Sequence, residues 1–160
     1  MQAIAEPILS RTFRKARRAI AAGGLPDAVR EVEALHQARE EILVATAAKM
    51  AAGRIGSFSA VIVPSDTEFR KRHPHWKRSL AKLCRLRIAE AEAELLLIVD
   101  EAKARLARYD YHDSETLEGD IVVRRARRRL AGLQSRLQCI ESDPPDEAWQ
   151  RHVGALLSDK

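Results

Sequence analysis

The residues of this chain that could do chemistry fall into histidine–cysteine, tyrosine–acid and arginine groups. His73 and His75 flank Pro74, with Asp66 and Cys84 not far along the chain. Zinc needs four converging ligands, and two of them would have to come from elsewhere, so the pair reads as two exposed histidines in a basic loop. Tyr109, Asp110, Tyr111, His112 and Asp113 collect acid–base side chains in one turn. Such a turn moves protons only when it lies in a cleft, and a turn between helices projects into solvent. Glu90, Glu92 and Glu94 alternate and cannot, as a set, share the helix face that a di-metal carboxylate site requires. No serine or cysteine has a histidine base at a suggestive position. Gly53 and Gly56 lack the Gly-Lys-Ser/Thr that completes a phosphate loop. The expectation is a non-enzymatic protein with no metal and no cofactor.

What remains is charge. Lysine and arginine number 28 against 23 acids, a formal net charge of +5. Arg11, Lys15 and Arg18 stand at i, i+4 and i+7, one stripe of a helix, with Arg14 and Arg17 beside it. Between Arg70 and Arg87 there are eight lysines and arginines and no acid, and Arg78, Lys82 and Arg85 repeat the same spacing. A third group is Arg124, Arg125, Arg127, Arg128 and Arg129. Guanidinium and ammonium groups so placed suit phosphate oxygens, and counterion release supplies much of the affinity. Aromatic residues make up only 4 % of the chain, too few for a platform on which bases stack. No helix-turn-helix, zinc-finger or RNA-recognition signature is present. Contacts should therefore go to the backbone of RNA or single-stranded DNA and be indifferent to sequence.

These stripes need helices to carry them, and the composition supplies them: alanine, leucine, arginine and glutamate dominate. A first helix is expected over 7–22, with Leu9, Phe13, Ala16 and Ile20 inward and Gly23-Gly24 as its stop. Pro26 opens a second, 26–52, on whose apolar face lie Val29, Val32, His36, Leu43 and Met50. His36 there reads as a packed, hydrogen-bonded residue rather than a ligand. The stretch 53–64 reads as a loop anchored by Phe58, Val61 and Val63. Ser65-Asp66-Thr67-Glu68 has the form of a capping box opening a short helix.

The chain is organised around a long helix, 76–109, about 50 Å at 1.5 Å per residue. Its middle, Leu95-Leu96-Leu97-Ile98-Val99, is apolar all round and should be covered on several sides. A short link at 110–113 makes the following helix, 114–141, its antiparallel neighbour. That second arm has a heptad seam of Val123, Ala126, Leu130, Leu133, Leu137 and Ile140. A terminal helix turns Trp149, Val153 and Leu156 inward. The fold expected is all-α, a bundle of four to six helices built on a long antiparallel helical hairpin, with 1–160 a single helical domain.

The hairpin also bears on the charge. Folded about residue 112, it sets Arg124 opposite Asp100, Arg129 near Glu94, and 82–87 near Glu141 and Asp143. Acids within the hairpin then absorb part of the arginine cluster and fix its register. The Arg11 and Arg78 stripes have no obvious acidic counterpart. In size, helicity and charge the chain resembles the helical small subunits of CRISPR effector complexes, a resemblance of composition that rests on no motif. It implies a small subunit of a larger nucleoprotein assembly, with Arg11, Lys15, Arg18, Arg78, Lys82, Arg85, Arg124, Arg125 and Arg128 as phosphate contacts. The alternative is a structural or adaptor protein whose hairpin packs on helices of partner proteins. Cys84 and Cys139 lie on apolar faces, as buried reduced thiols do, and no apolar run approaches the roughly 18 residues of a membrane span. Both fit a cytoplasmic protein. The arginine-rich first 22 residues loosely resemble an organelle presequence, but a helix stop follows them rather than a cleavage-like stretch.

Overall fold

The computed structural model describes residues 23–53, 59–108, 114–142 and 145–158, and of 59, 60, 63, 114–116, 145–148 and 150 the backbone alone. Six helices run through them, with no strand among the described residues: α1 (Leu25–Ala52), α2 (Ser59–Arg72), α3 (Trp76–Ala107), α4 (Ser114–Gly119), α5 (Ile121–Ser142) and α6 (Pro145–Ser158). The all-α bundle expected from composition and periodicity is what forms. The helix expected over 7–22, with Arg11, Lys15 and Arg18, lies outside the described residues, as does the turn from Tyr109 to Asp113.

Two boundaries differ from the sequence expectation, and each has a local cause. The stretch read as a loop is helical from Ser59, so that Pro64 falls inside α2. The capping side chains are engaged elsewhere. The buried Ser65 hydroxyl donates back to the Val61 carbonyl at 2.7 Å, Asp66 binds Arg39, and Glu68 binds Arg72. The helix expected over 114–141 is broken at Asp120. Its Oδ1 accepts the Val122 and Val123 N–H groups at 2.9 and 3.2 Å, and its carbonyl accepts the Arg124 N–H at 3.0 Å, which makes it the N-cap of α5.

Contacts gather the chain into two compact units. Of the described residues, one takes those between Cys84 and Gln138 together with residues 23–25; the other takes those between Pro26 and Leu83 and from Cys139 on. We call them the hairpin unit and the aromatic unit.

The aromatic unit is built on large side chains. Phe69 of α2 meets His73, Trp76 and Trp149 at ring separations of 5.3, 6.4 and 5.2 Å, and Trp76 meets Trp149 edge-on at 5.6 Å. Each such pair contributes about 0.5–1.5 kcal/mol beyond the area it buries. Val32, Leu80, Leu83, Ile140 and Leu156 are wholly buried around them. Along α1 the inward face runs Ala28, Val32, Arg39, Ile42, rotated from the expected line through Leu43 and Met50, which are half-buried. Arg39, only 7 % exposed, replaces an aliphatic residue on that face. Its Nη2 lies 2.9 Å and its Nε 3.0 Å from Asp66 Oδ1, with Glu40 at 3.5 Å from Nη1.

The hairpin unit is built on aliphatic side chains and ion pairs. Leu25, Cys84, Ala91, Ala102, Val123 and Leu133 are its buried apolar residues among those described, and the seam positions Ala126, Leu130 and Leu137 are half-buried. Cys84 Sγ–H donates to the Leu133 carbonyl at 3.4 Å, and both cysteines of the chain are free thiols. Arg105 reaches Asp120 at 2.5 Å and Arg129 reaches Glu94 at 2.5 Å, so 84–107 and 121–138 run antiparallel, as the short link implies. The expected cover over 95–99 is partial. Leu96 is 68 % exposed, and Leu95, Leu97, Ile98 and Val99 are half-buried.

Candidate nucleic-acid interface

The basic residues sort by whether the fold already supplies them with an acid. Five arginines lie in the first turns of α5, where the seam residues Val123, Ala126 and Leu130 fix which side faces inward. Arg129 flanks the seam and is half-buried between Glu94 at 2.5 Å and Glu90 at 3.5 Å. Those two acids stand at i and i+4 on α3, and Glu90 also takes Arg87 at 3.2 Å. Arg127, on the other flank, reaches Glu118 at 3.4 Å. Arg124, Arg125 and Arg128 point away from the seam, exposed, with no ion pair to an acid among the described residues. Arg124 and Asp100, expected opposite each other, are both exposed and no ion pair joins them.

Geometry therefore separates three guanidinium groups with no ion pair among the described residues from Arg129, which locks the two arms, and Arg127, whose pair with Glu118 is exposed. Arg124 to Arg128 span about 6 Å of helix axis at 1.5 Å per residue. A nucleic-acid strand carries one phosphate per ~3.4 Å, a comparable linear charge density. Beyond Arg128 the same outer face continues through Gly132 and Ser135, both exposed, and a Cβ on Gly132 would meet nothing within 4 Å. Small residues there let a backbone approach closely. At the start of α5, Val122 and Ile121 are 45 % and 56 % exposed. The Asp120 carboxyl that caps this helix is held below its ordinary value, chiefly by the Val123 N–H, then by the Val122 N–H and Arg105, against the cost of burial.

The α3 stripe fares less well. Arg78 is exposed with no ion pair to an acid among the described residues. Lys82, which looked unmatched in the sequence, lies 3.6 Å from Glu31, whose carboxylate also accepts the Ser79 hydroxyl at 2.5 Å. Arg85 is exposed. Lys77 donates to the main-chain carbonyl of Glu141 at 3.2 Å, closing the C-terminal end of α5. Of the histidines in the basic stretch, His73 is half-buried against Phe69 and His75 is exposed. Among the described residues no three histidine, cysteine or acid side chains could hold a metal ion together. No described helix is long and apolar enough to cross a membrane.

Sequence reasoning missed the burial of Arg39. The signal was there: Arg39 stands seven residues after Val32 and three before Ile42, an inward position. It also missed that His36, though packed as expected, leaves its Nδ1 without a hydrogen-bond partner. No protein-family model matches the chain, and no curated protein or solved structure matches it either.

Proposed function

We propose that this protein is a non-enzymatic, basic helical module that binds the phosphate backbone of RNA or single-stranded DNA without sequence preference. It would act in the cytoplasm as a small subunit of a larger nucleoprotein assembly. The observation that carries the reading is the division of the α5 arginines: Arg129 and Arg127 pair with acids, while Arg124, Arg125 and Arg128 stand exposed on one outer face with no ion pair among the described residues. Exposed like charges on neighbouring positions repel one another and weaken the helix that carries them. A polyanion turns that repulsion into affinity. Arg78, with Lys82 and Arg85, forms a second, partly neutralised line of contacts.

The test is anisotropy of a labelled arbitrary-sequence oligonucleotide with nuclease-treated protein, across a salt series. Micromolar binding is expected at low salt, alike for unrelated sequences. Replacing Arg124, Arg125 and Arg128 by glutamate should flatten the log–log salt slope by about 2, at ~0.7 per single-strand phosphate contact. Arg72→Gln, whose guanidinium already pairs with Glu68, should leave the slope alone. Equal binding by wild type and triple variant would remove these arginines as contacts.

A second reading, an adaptor whose hairpin packs on partner helices, draws on the exposed aliphatic side chains Leu96, Ile121 and Val122. Leu96→Gln with Ile121→Gln should then cost assembly while oligonucleotide binding by the free protein stays the same.

A further inference from the structure

The outer face of α5 does not end at its arginines. Ile121, Arg125, Arg128, Gly132 and Ser135 follow one another at spacings of four, three, four and three, opposite the seam, with Arg124 beside them. All are exposed, Ile121 by 56 %, and Val122 on the flank is exposed by 45 %. A single aliphatic side chain at a surface is ordinary. This one stands in register with three guanidinium groups that have no ion pair among the described residues. It lies one helical turn, about 5.4 Å, from Arg124 and Arg125. The stripe from Ile121 to Ser135 covers about 21 Å of helix axis, the length of about six nucleotides of extended strand.

The Ile121 end of the stripe is closed to anions. Asp120 stands there, its carboxylate already accepting the Val122 and Val123 N–H groups and holding Arg105 at 2.5 Å. Glu118, exposed, lies just before it and pairs with Arg127. The helix N-terminus, which would otherwise attract a phosphate, is thus filled by the protein's own carboxylate. A phosphate is repelled from this end; an uncharged apolar face is not. We infer that Ile121 holds a nucleobase. The phosphates of a single strand lie along Arg124, Arg125 and Arg128, and at the start of the helix one base turns its flat face onto the Ile121 side chain, with Val122 at its edge. This contact rests on the phosphate binding proposed above and adds a preference to it. Every base has such a face, so the contact is indifferent to sequence. In a duplex the bases are stacked inside, and one reaches Ile121 only by being unstacked at a cost. The aliphatic end of the stripe therefore serves single strands and not duplex.

The experiment is anisotropy at low salt with three labelled probes of equal length. They are a mixed-sequence single strand, a strand in which every base is replaced by an abasic spacer, and a duplex. Wild type should bind the single strand about fivefold more tightly than the abasic strand, which is what covering half an isoleucine is worth. Ile121→Gln should remove that advantage. It should leave the abasic strand and the duplex bound as by wild type, with the salt slope and the melting temperature unchanged. Ile121→Phe, a wider surface for a base, should bind the single strand more tightly than wild type does and the abasic strand no better. Equal binding of the single and abasic strands by wild type would overturn the base contact and leave phosphate binding in place. A base advantage that survives Ile121→Gln would also overturn it, and would return Ile121 to the adaptor reading. No binding of any probe would take down the phosphate reading, and the base contact with it.

Discussion

The two units are stabilised by different means. In the aromatic unit Phe69, Trp76 and Trp149 meet in one cluster, with Leu80, Leu83, Ile140 and Leu156 wholly buried around it. In the hairpin unit no aromatic side chain is buried among the described residues, and a chain of ion pairs through Arg87, Glu90, Arg129 and Glu94 sets the register. Three of the four large apolar residues exposed among the described ones, Leu96, Ile121 and Val122, belong to the hairpin unit, as do the three unmatched arginines of α5. Burial, which is strong and undirected, holds the first unit together and leaves its surface ordinary. Pairing, which is weak but specific, aligns the second and leaves apolar and cationic groups for something else. The contrast is what the proposed function rests on: charge that the hairpin does not spend on itself.

The contrast can be broken first at its strongest point. Phe69→Ala should cost about 3–5 kcal/mol in chemical denaturation, the usual loss for a buried aromatic at the centre of a cluster. A cost below about 1 kcal/mol, the level of a surface change, would mean that the aromatic cluster is not what holds its unit. Arg39→Met should come next, at about 3 kcal/mol, because it leaves the half-buried Asp66 carboxylate without its cation. Adding Asp66→Leu should restore most of that loss, and the double variant is compared with both singles by the same denaturation curves.

Effects in the hairpin unit should be smaller. Asp120→Ala should cost about 1 kcal/mol through loss of the α5 cap. Its pH dependence gives the effect a signature. The fold holds the Asp120 carboxyl below its ordinary value, so the cap's stabilisation is present above the unfolded value of about 3.9 and is lost as the pH falls through the lower folded value. The gap in melting temperature between wild type and Asp120→Ala should therefore be full at pH 6 and shrink on acidification below pH ~4. A gap that stays constant would detach it from the carboxylate. Least of all, Arg127→Gln should shift stability by under ~0.5 kcal/mol, since its pair with Glu118 is exposed. A larger loss would mean that even the outer pairs hold the hairpin, and the distinction between locking and free arginines would blur.

How much of this was legible in the chain depended on how local the deciding interaction is. Pro26 and Gly53 punctuate α1, and its limits followed from them to within a residue. The partner of Arg129 followed from a short link and an antiparallel register, and Glu94 is where that arithmetic places it. Trp149, Val153 and Leu156 turn inward as their spacing requires. The rest turned on competition. Ser65, Asp66 and Glu68 have the sequence of a cap, but a buried carbonyl contact, a distant arginine and a nearer one take all three side chains. Gly119 and Asp120 form a break that the unbroken seam after it concealed. Lys82 seemed unmatched because Glu31 stands about fifty positions earlier, beyond the reach of periodicity. The division of the α5 arginines was half visible: the register foretold that Arg129 is spent, and only the structure separates Arg127 from Arg128.

The pairing of Arg39 with Asp66 also bears on how the sequence can change over time. Either residue lost alone strands a buried charge, whereas exchanging both for aliphatic side chains of similar bulk is close to neutral. The two positions, 27 apart in the chain, are thus separated from an uncharged alternative by a valley that no single substitution crosses cheaply. Descendants of this sequence should keep the pair or lose it whole, and position 39 carries a memory of position 66.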